Sequence, residues 1–230
     1  MLTGAGVSTE SGIPTFRGPQ GLWKNHRPEE LATPKAFMRN PDLVWEWYDW
    51  RRRLVAQCQP NAAHFTLAAW SHSYSKFSLI TQNVDGLHER AGTKTVIGFH
   101  GSIWELSCWN RCSSSPERWT DKRVPLSPIP PLCPSCGHVA RPGVVWFGES
   151  IDENILVRSL SSTDCDVFLT IGTSGLVYPA ASLTTEAKRH GALTVEINPE
   201  DTSHTELVDA RFKGSAVQVL NDLENLRHTN

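Results

Sequence analysis

Apolar positions along this chain recur with two periods, and the switches between them lay out its elements. The run Phe77 to Thr81 reads as a buried strand and Thr95 to Phe99 as another short one. Asp166 to Gly172 reads as a buried strand and Ala192 to Ile197 as another strand, with a helical pattern from Tyr178 to His190 between them. Ala216 to Leu220 begins a last strand-to-helix passage. Upstream, Leu43, Trp47, Trp50 and Leu54 repeat at helical spacing behind the start signal Asn40-Pro41, so the pattern predicts a helix over Pro41 to Gln57. Pro60-Asn61 opens a second helix that runs through Trp70. Strand, helix and strand at this spacing predict an α/β fold with a doubly wound parallel sheet.

Two segments break the pattern. Gly4 to Gly21 is rich in Gly, Ser, Thr and Pro and reads as a loop with at most one helical turn. Only Met1-Leu2-Thr3 precede it, so the first strand reads as truncated and the chain as N-terminally incomplete. Leu106 to Arg141 holds four paired cysteines and a proline- and serine-rich run from Ser113 to Pro134, the composition of a small domain set into a larger one. The resulting division is a sheet domain of residues 1–23, 61–105 and 142–230, a helical insert of residues 24–60 and a small domain of residues 106–141.

Composition narrows the function classes. The formal net charge is −2 and the densest basic spot, Trp50-Arg51-Arg52-Arg53, is too short to steer DNA, so no direct nucleic-acid partner is expected. A zinc-ribbon nucleic-acid binder would need a basic surface with interleaved aromatics, and the small domain has only scattered Arg111, Arg118, Lys122 and Arg123. No apolar run approaches the ~20 residues of a membrane helix, and no secretory signal is read at the start. Six cysteines in a chain neither small nor visibly secreted point to an intracellular metal site rather than a disulfide framework.

Five groups of residues carry candidate chemistry. Cys108, Cys112, Cys133 and Cys136 have knuckle spacing, and four thiolates close a tetrahedral structural zinc site with no open position; a redox pair is the other reading. Cys58 and Cys165 read as core residues. Gln82-Asn83-Val84-Asp85 follows a strand, and His100 lies between Gly98 and Gly101 in a way that would let a substrate approach its ring. An amide, a carboxylate and a histidine are the parts needed to position a sugar hydroxyl and take its proton. Gly4-Ala5-Gly6 departs from the dinucleotide fingerprint, with Thr9 at the third glycine position, but Phe16 and Arg17 in its extension suit a flat heterocycle and a phosphate or ribose. Gly172-Thr173-Ser174 and Asn198-Pro199-Glu200 follow later strands, as in a ligand crevice. Tyr48 and Arg51, three apart on one helix, share a face; they form either a carboxylate-binding pair or a solvated arginine beside a packed tyrosine.

Taken in order, Gly4-Ala5-Gly6-Val7-Ser8, Ser11-Gly12-Ile13-Pro14, Phe16-Arg17-Gly18, Gln82-Asn83-Val84-Asp85-Gly86-Leu87-His88, Phe99-His100-Gly101, the four cysteines, Val144 to Glu149, Gly172-Thr173-Ser174, Val177-Tyr178-Pro179 and Asn198-Pro199-Glu200 resemble the sirtuins, NAD-dependent protein deacylases. Tyr48 and Arg51, with Ala32 in Leu31-Ala32-Thr33-Pro34, resemble the class III branch, which removes succinyl, malonyl and glutaryl groups and acetyl less well. Thr15 stands where many sirtuins carry aspartate, a change that branch tolerates.

The resemblance implies a Rossmann-like domain with a smaller zinc-binding and helical part. It implies NAD as co-substrate, one structural zinc and acylated protein lysines as partners, in a monomeric transferase-type enzyme. The compartment would be mitochondrial or cytoplasmic and nuclear. NAD would be bound by Gly4, Ala5, Gly6, Ser8, Thr15, Phe16, Arg17, Gln82, Asn83, Asp85, His100, Gly172, Thr173, Ser174, Asn198, Glu200 and Ala216. Ala32, Tyr48, Arg51, Val145, Phe147, Gly148 and Glu149 would bind the acyl-lysine, whose backbone would pair with residues 145–149 as an added strand. Asn83 and Asp85 would orient the nicotinamide ribose and amide, and His100 would accept a proton from the ribose hydroxyls. An acetyl-specific deacetylase and a mono-ADP-ribosyltransferase would use the same NAD pocket and remain as alternatives.

Overall fold

The computed structural model describes residues 1–16, 21–23, 26–114 and 116–229. In chain order the elements are β1 (Leu2–Thr3), a 3-10 helix (Ala5–Ser11), α1 (Pro28–Leu31), α2 (Pro34–Arg39), α3 (Pro41–Gln57), α4 (Ala62–Ser73), β2 (Leu79–Thr81), α5 (Leu87–Arg90), β3 (Val96–Gly98), β4 (Gly101–Cys108) and β5 (Trp119–Thr120). There follow β6 (Ala140–Val144), α6 (Glu153–Ser161), β7 (Val167–Ile171), α7 (Ser182–Arg189), β8 (Leu193–Asn198), β9 (Ala210–Lys213) and α8 (Ala216–Thr229). The chain gathers into two compact units. Met1–Thr15, Gln59–Phe99 and Asp152–Asn230 form the first; Phe16–Cys58 and His100–Ile151 form the second.

The first unit is a six-stranded sheet in the order β3-β2-β1-β7-β8-β9, parallel throughout. β1 has two residues yet lies inside the sheet, with Leu2 opposite Ile80 on one side and Thr170 on the other. The chain leaves β1 toward β3 and later resumes at β7 on the opposite side. This reversal is the point where open α/β sheets form a ligand crevice at their carboxyl ends. Helices α4 and α8 supply Leu67, Trp70 and Leu220 to one core with Leu79, Ile171 and Ile197 from the strands. Each such aliphatic side chain contributes about 1.5–3 kcal/mol on burial. The other face carries α7, where Thr184 and Thr170 are joined through their hydroxyls at 2.9 Å.

The second unit has a three-stranded antiparallel sheet, β5-β4-β6, with α1, α2 and α3. α3 begins where the Asn40 side chain accepts from the Leu43 N–H, at 3.1 Å, with Pro41 in the first helical position. Three of its side chains tie it to the sheet and the loop after β5. Trp45 donates to the Ala140 carbonyl at 2.7 Å, the buried Arg52 donates to Ile103 and Asp121 carbonyls at 2.6 Å each, and Asp49 accepts from the Leu126 N–H at 2.7 Å.

Several elements differ from the sequence pattern. Residues 5–11 form two turns of 3-10 helix rather than a loop with one turn at most. The last strand is Ala210–Lys213, upstream of the segment from Ala216, which is helical throughout. α7 begins at Ser182 rather than Tyr178, and Cys165 is only half-buried rather than core. Residues 100–105 and 142–151, expected with the sheet domain, lie in the second unit because β4 pairs with β6. Among the described residues no helix is long and apolar enough to cross a membrane.

Candidate functional site

In the first unit the glycine loop after β1 crosses the end of β7. The Gly4 N–H donates to the Ile171 carbonyl at 3.0 Å and the Gly6 N–H to the Gly172 carbonyl at 2.8 Å. A Cβ on Gly6 would lie 2.7 Å from the Gly172 Cα, and Gly172 itself has φ +61, so both positions require glycine. The 3-10 helix then presents Ser8, which is buried. Its hydroxyl donates to Asp85 Oδ2 at 2.8 Å and accepts from Asn83 Nδ2 at 3.2 Å. Asp85 Oδ1 accepts the Leu87 N–H at 2.9 Å, and the Asn83 N–H is held by Thr81 Oγ1 at 3.1 Å. Gln82 Nε2 donates to Thr173 Oγ1 at 2.8 Å, and Asn198 Nδ2 to the Thr173 carbonyl at 3.0 Å. Ser8, Asn83 and Asp85 thus form one hydrogen-bonded group and Gln82, Thr173 and Asn198 another, together a polar set at the carboxyl ends of β1, β2, β7 and β8. Ala216 is buried at the start of α8, and Glu200 is exposed. Arg17 lies outside the described residues, and Thr15 ends this unit's first segment.

Next to β1 sit two buried histidines, His88 of the Gln82–His88 segment and His64 of α4, to which sequence reasoning assigned no role. His88 Nε2 pairs with Thr3 Oγ1 at 3.0 Å, and its ring lies 4.8 Å from that of His64. Burial lowers His64 to about 4; burial and then the neighbouring His64 lower His88 to about 3. Both are neutral when folded, whereas an unfolded histidine titrates near ~6.5. The unfolded state therefore binds more protons below that value. The stability they contribute is full above pH 6.5 and lost as pH falls toward 4 and then 3, by up to about 3 kcal/mol per pH unit when both titrate. Urea midpoints at pH 7.5 and 5.5 are expected to differ more in the natural protein than in a His64→Gln/His88→Gln variant.

The second unit carries the other predicted residues. Arg51 is buried on α3, its guanidinium over the rings of Trp47 (4.7 Å), Phe16 (5.0 Å) and Tyr48 (5.6 Å). The reading of Arg51 as solvated is thereby excluded. Trp47 stacks on Trp23 with centroids 5.2 Å apart and planes 8° from parallel. The Tyr48 oxygen accepts from Trp146 Nε1 at 3.0 Å, which leaves its own proton to donate. Burial raises the Tyr48 pKa against the opposing pull of Arg51, so the phenol stays protonated. A cation and an O–H donor on an aromatic floor match a carboxylate. Ala32 accepts the Phe147 N–H at 3.0 Å, and the His100 carbonyl accepts the Val145 N–H at 2.9 Å.

Two of these positions have structural roles of their own. Gly101 has φ +77, and a Cβ there would meet the Gly143 carbonyl at 2.2 Å, so glycine lets β4 approach β6. The Glu149 carboxylate is gripped by Arg141 at 2.5 and 2.7 Å and by the Trp146 N–H at 2.9 Å. Burial would raise its pKa, but these donors hold it below the usual carboxylate range, so it orders the 146–149 turn as an anion. Gly148 lies in that turn at φ +85.

The four cysteine sulfurs lie within 4.8 Å of one another, with Cys108–Cys136 at 3.6 Å and Cys112–Cys133 at 3.8 Å. Sulfurs ~2.3 Å from a central zinc in a tetrahedron are ~3.8 Å apart, so the cluster fits that ion. The same distances are far beyond the ~2.05 Å of a disulfide.

Residues 4–179 match the model of the Sir2 family. An NAD-dependent protein deacylase of Aquifex aeolicus is 54% identical over 94% of this chain and 89% of its own length. NAD-dependent protein deacylase 1 of Caldanaerobacter subterraneus is 50% identical over 95% and 89%. Among solved structures, a Sir2 homolog–NAD complex superimposes with a TM-score of 0.91 at 45% identity, covering 99% of this chain and 88% of that one. The polar set at the sheet reversal and the four-cysteine cluster occur here in a chain matched to these proteins over almost its whole length, and the chain belongs to the Sir2 family.

Proposed function

We propose that this protein removes acyl groups from protein lysines in an NAD-dependent reaction, and that it prefers acyl groups ending in a carboxylate, succinyl, malonyl or glutaryl, over acetyl. The names of its relatives support the first part. A solved Sir2 structure bound to a deacetylated peptide and an acetyl-ADP-ribose, 31% identical with a TM-score of 0.86, supports an acylated lysine as the partner. The observation that carries the second part is the buried Arg51–Tyr48 pair. A guanidinium on an aromatic floor of Phe16, Trp47 and Tyr48, beside the Tyr48 O–H, presents a cation and a donor that match a substrate carboxylate.

NAD, when bound, supplies a glycosidic bond whose cleavage releases nicotinamide and opens the ribose carbon to the acyl oxygen. The fit is supported by the glycine cradle and the polar set at the strand ends. In that set, Asn83 and Asp85 orient the nicotinamide amide and ribose. Ser8 holds both, donating to Asp85 and accepting from Asn83. Thr173, Ser174, Asn198 and Glu200 serve the adenosine half. His100 accepts the proton of a ribose hydroxyl. Phe16 screens the reacting centre from returning nicotinamide. Ala32 leaves room for a longer acyl chain, whose carboxylate Arg51 and Tyr48 bind. Val145 and Phe147 flank the lysine. Zinc, held by Cys108, Cys112, Cys133 and Cys136, orders the loops between β4 and β6.

Parallel assays on succinyl- and acetyl-peptides test the acyl preference. Arg51→Met is expected to lower kcat/KM for the succinyl-peptide about 10²–10³-fold, as truncation of a buried charge pair does, and to change the acetyl-peptide value by less than about threefold. Equal losses on both peptides would remove the case for an acidic acyl group.

A further inference from the structure

β8 reads Leu-Thr-Val-Glu-Ile-Asn and is buried from Thr194 to Ile197; its fourth residue, Glu196, is a fully buried acid between Thr170 and Arg211 on the adjacent strands. A carboxylate in that position is costly unless donors surround it. Its donors come from the loop that follows the strand. Thr202 Oγ1 donates to one carboxylate oxygen, Thr205 Oγ1 to the other at 2.6 Å, and Arg211 Nε lies 3.7 Å away. The two threonines close a turn upon themselves, because the Thr202 N–H donates to Thr205 Oγ1 at 2.8 Å and the His204 N–H to Thr202 Oγ1 at 3.0 Å. Arg211 also pairs with Asp201.

The turn so fixed reaches the neighbouring strand end. Ser203 Oγ donates to the Gly175 carbonyl at 2.7 Å, and the buried His204 ring meets the Ala181 carbonyl at 3.0 Å. Gly175 has φ +68, and a Cβ there would lie 2.2 Å from Ser203 Oγ, so the two loops are in direct contact. The segment between Asn198 and this turn contains Glu200. The segment it braces contains Thr173 and Ser174.

We infer that Glu196, Thr202 and Thr205 form a clasp that positions the loops after β7 and β8 for the adenosine half of NAD, and so set the affinity for NAD rather than the rate of acyl transfer. This rests on the NAD reading above. Glu196 is a positioning residue; it acts through the turn it anchors.

The test is steady-state kinetics and NAD titration calorimetry on a Thr202→Val/Thr205→Val variant, beside Thr202→Ser/Thr205→Ser. The valine pair is expected to raise KM for NAD and weaken NAD binding about tenfold, the scale of one hydrogen bond to a charged group. Its kcat and its KM for the acyl-peptide should stay within twofold. The serine pair, which keeps the hydroxyls, should restore KM for NAD. An unchanged KM for NAD in a folded valine pair, or equal losses in kcat, overturns the clasp. If the valine pair does not fold, Thr205→Val alone is measured against Thr205→Ser with the same expected and contrary results. Failure of the natural protein to bind NAD would overturn both this inference and the reading it rests on; NAD binding that the valine pair leaves intact would overturn the clasp alone.

Discussion

Replacing His100 with alanine is expected to lower kcat/KM for deacylation by about 10²–10⁴-fold, the contribution of a positioned general base. Imidazole is the side chain whose ordinary proton affinity sits nearest neutral pH, so it can take a ribose proton and pass it on. The fold should survive. The backbone carbonyl of residue 100, which accepts the Val145 N–H at 2.9 Å, is retained by alanine. The buried cores of both units lie elsewhere. Kinetics on an acyl-peptide, with zinc content and circular dichroism as controls, check this. A folded, zinc-loaded variant within about tenfold of the natural protein would remove His100 from the chemistry.

Stripping zinc, or replacing Cys133 with serine, is expected to lower Tm by at least ~10 °C, since structural zinc sites supply folding free energy that no other interaction replaces. Residues 109–139 carry little structure of their own: the two-residue β5 and one bridge between Leu132 and Val139 among the described residues. Few of their side chains are buried, Leu126 and Cys133 among them. The cysteines therefore close the loops. The effect should spread within the second unit, because Arg52 on α3 is held by the Asp121 and Arg123 carbonyls and Asp49 by the Leu126 N–H. The same helix bears Tyr48 and Arg51. Thermal melts with and without a strong chelator, matched to metal analysis, check this. A zinc-free protein with an unchanged Tm would show that the cluster is not a structural metal site.

The parts of the fold legible in the sequence are those in which local chemistry and tertiary need agree. α3 occupies Pro41–Gln57 as expected, because a capping asparagine, a first-position proline and the apolar spacing all mark the same helix. β7 stands out because a strand covered on both faces is apolar along most of its length, and β8 because β-branched and aliphatic residues recur through it between turn signals. β9, Ala-Arg-Phe-Lys, has no such run; pairing with β8 makes it a strand. The 3-10 helix after β1 was legible only as one turn at most, since Ala5–Ser11 lacks an apolar period and the loop is positioned by Gly6 in contact with Gly172. Within the candidate site, residue types showed what could act, while partners distant in sequence showed how each is held. Trp47 could have been found from its four-residue spacing to Arg51, but Trp146, 98 positions from Tyr48, could not. Glu196 was hidden for the opposite reason: an acid inside a strand reads as a solvent-facing position until Thr202 and Thr205 are seen to face it.

The most direct test follows the acyl group itself. A succinyl-peptide incubated with NAD and this protein should yield free lysine, nicotinamide and O-succinyl-ADP-ribose in equal amounts by mass spectrometry, with one water consumed. Release of succinate while NAD stays intact, or ADP-ribose found attached to protein instead of to the acyl group, would contradict NAD-dependent deacylation as this protein's activity.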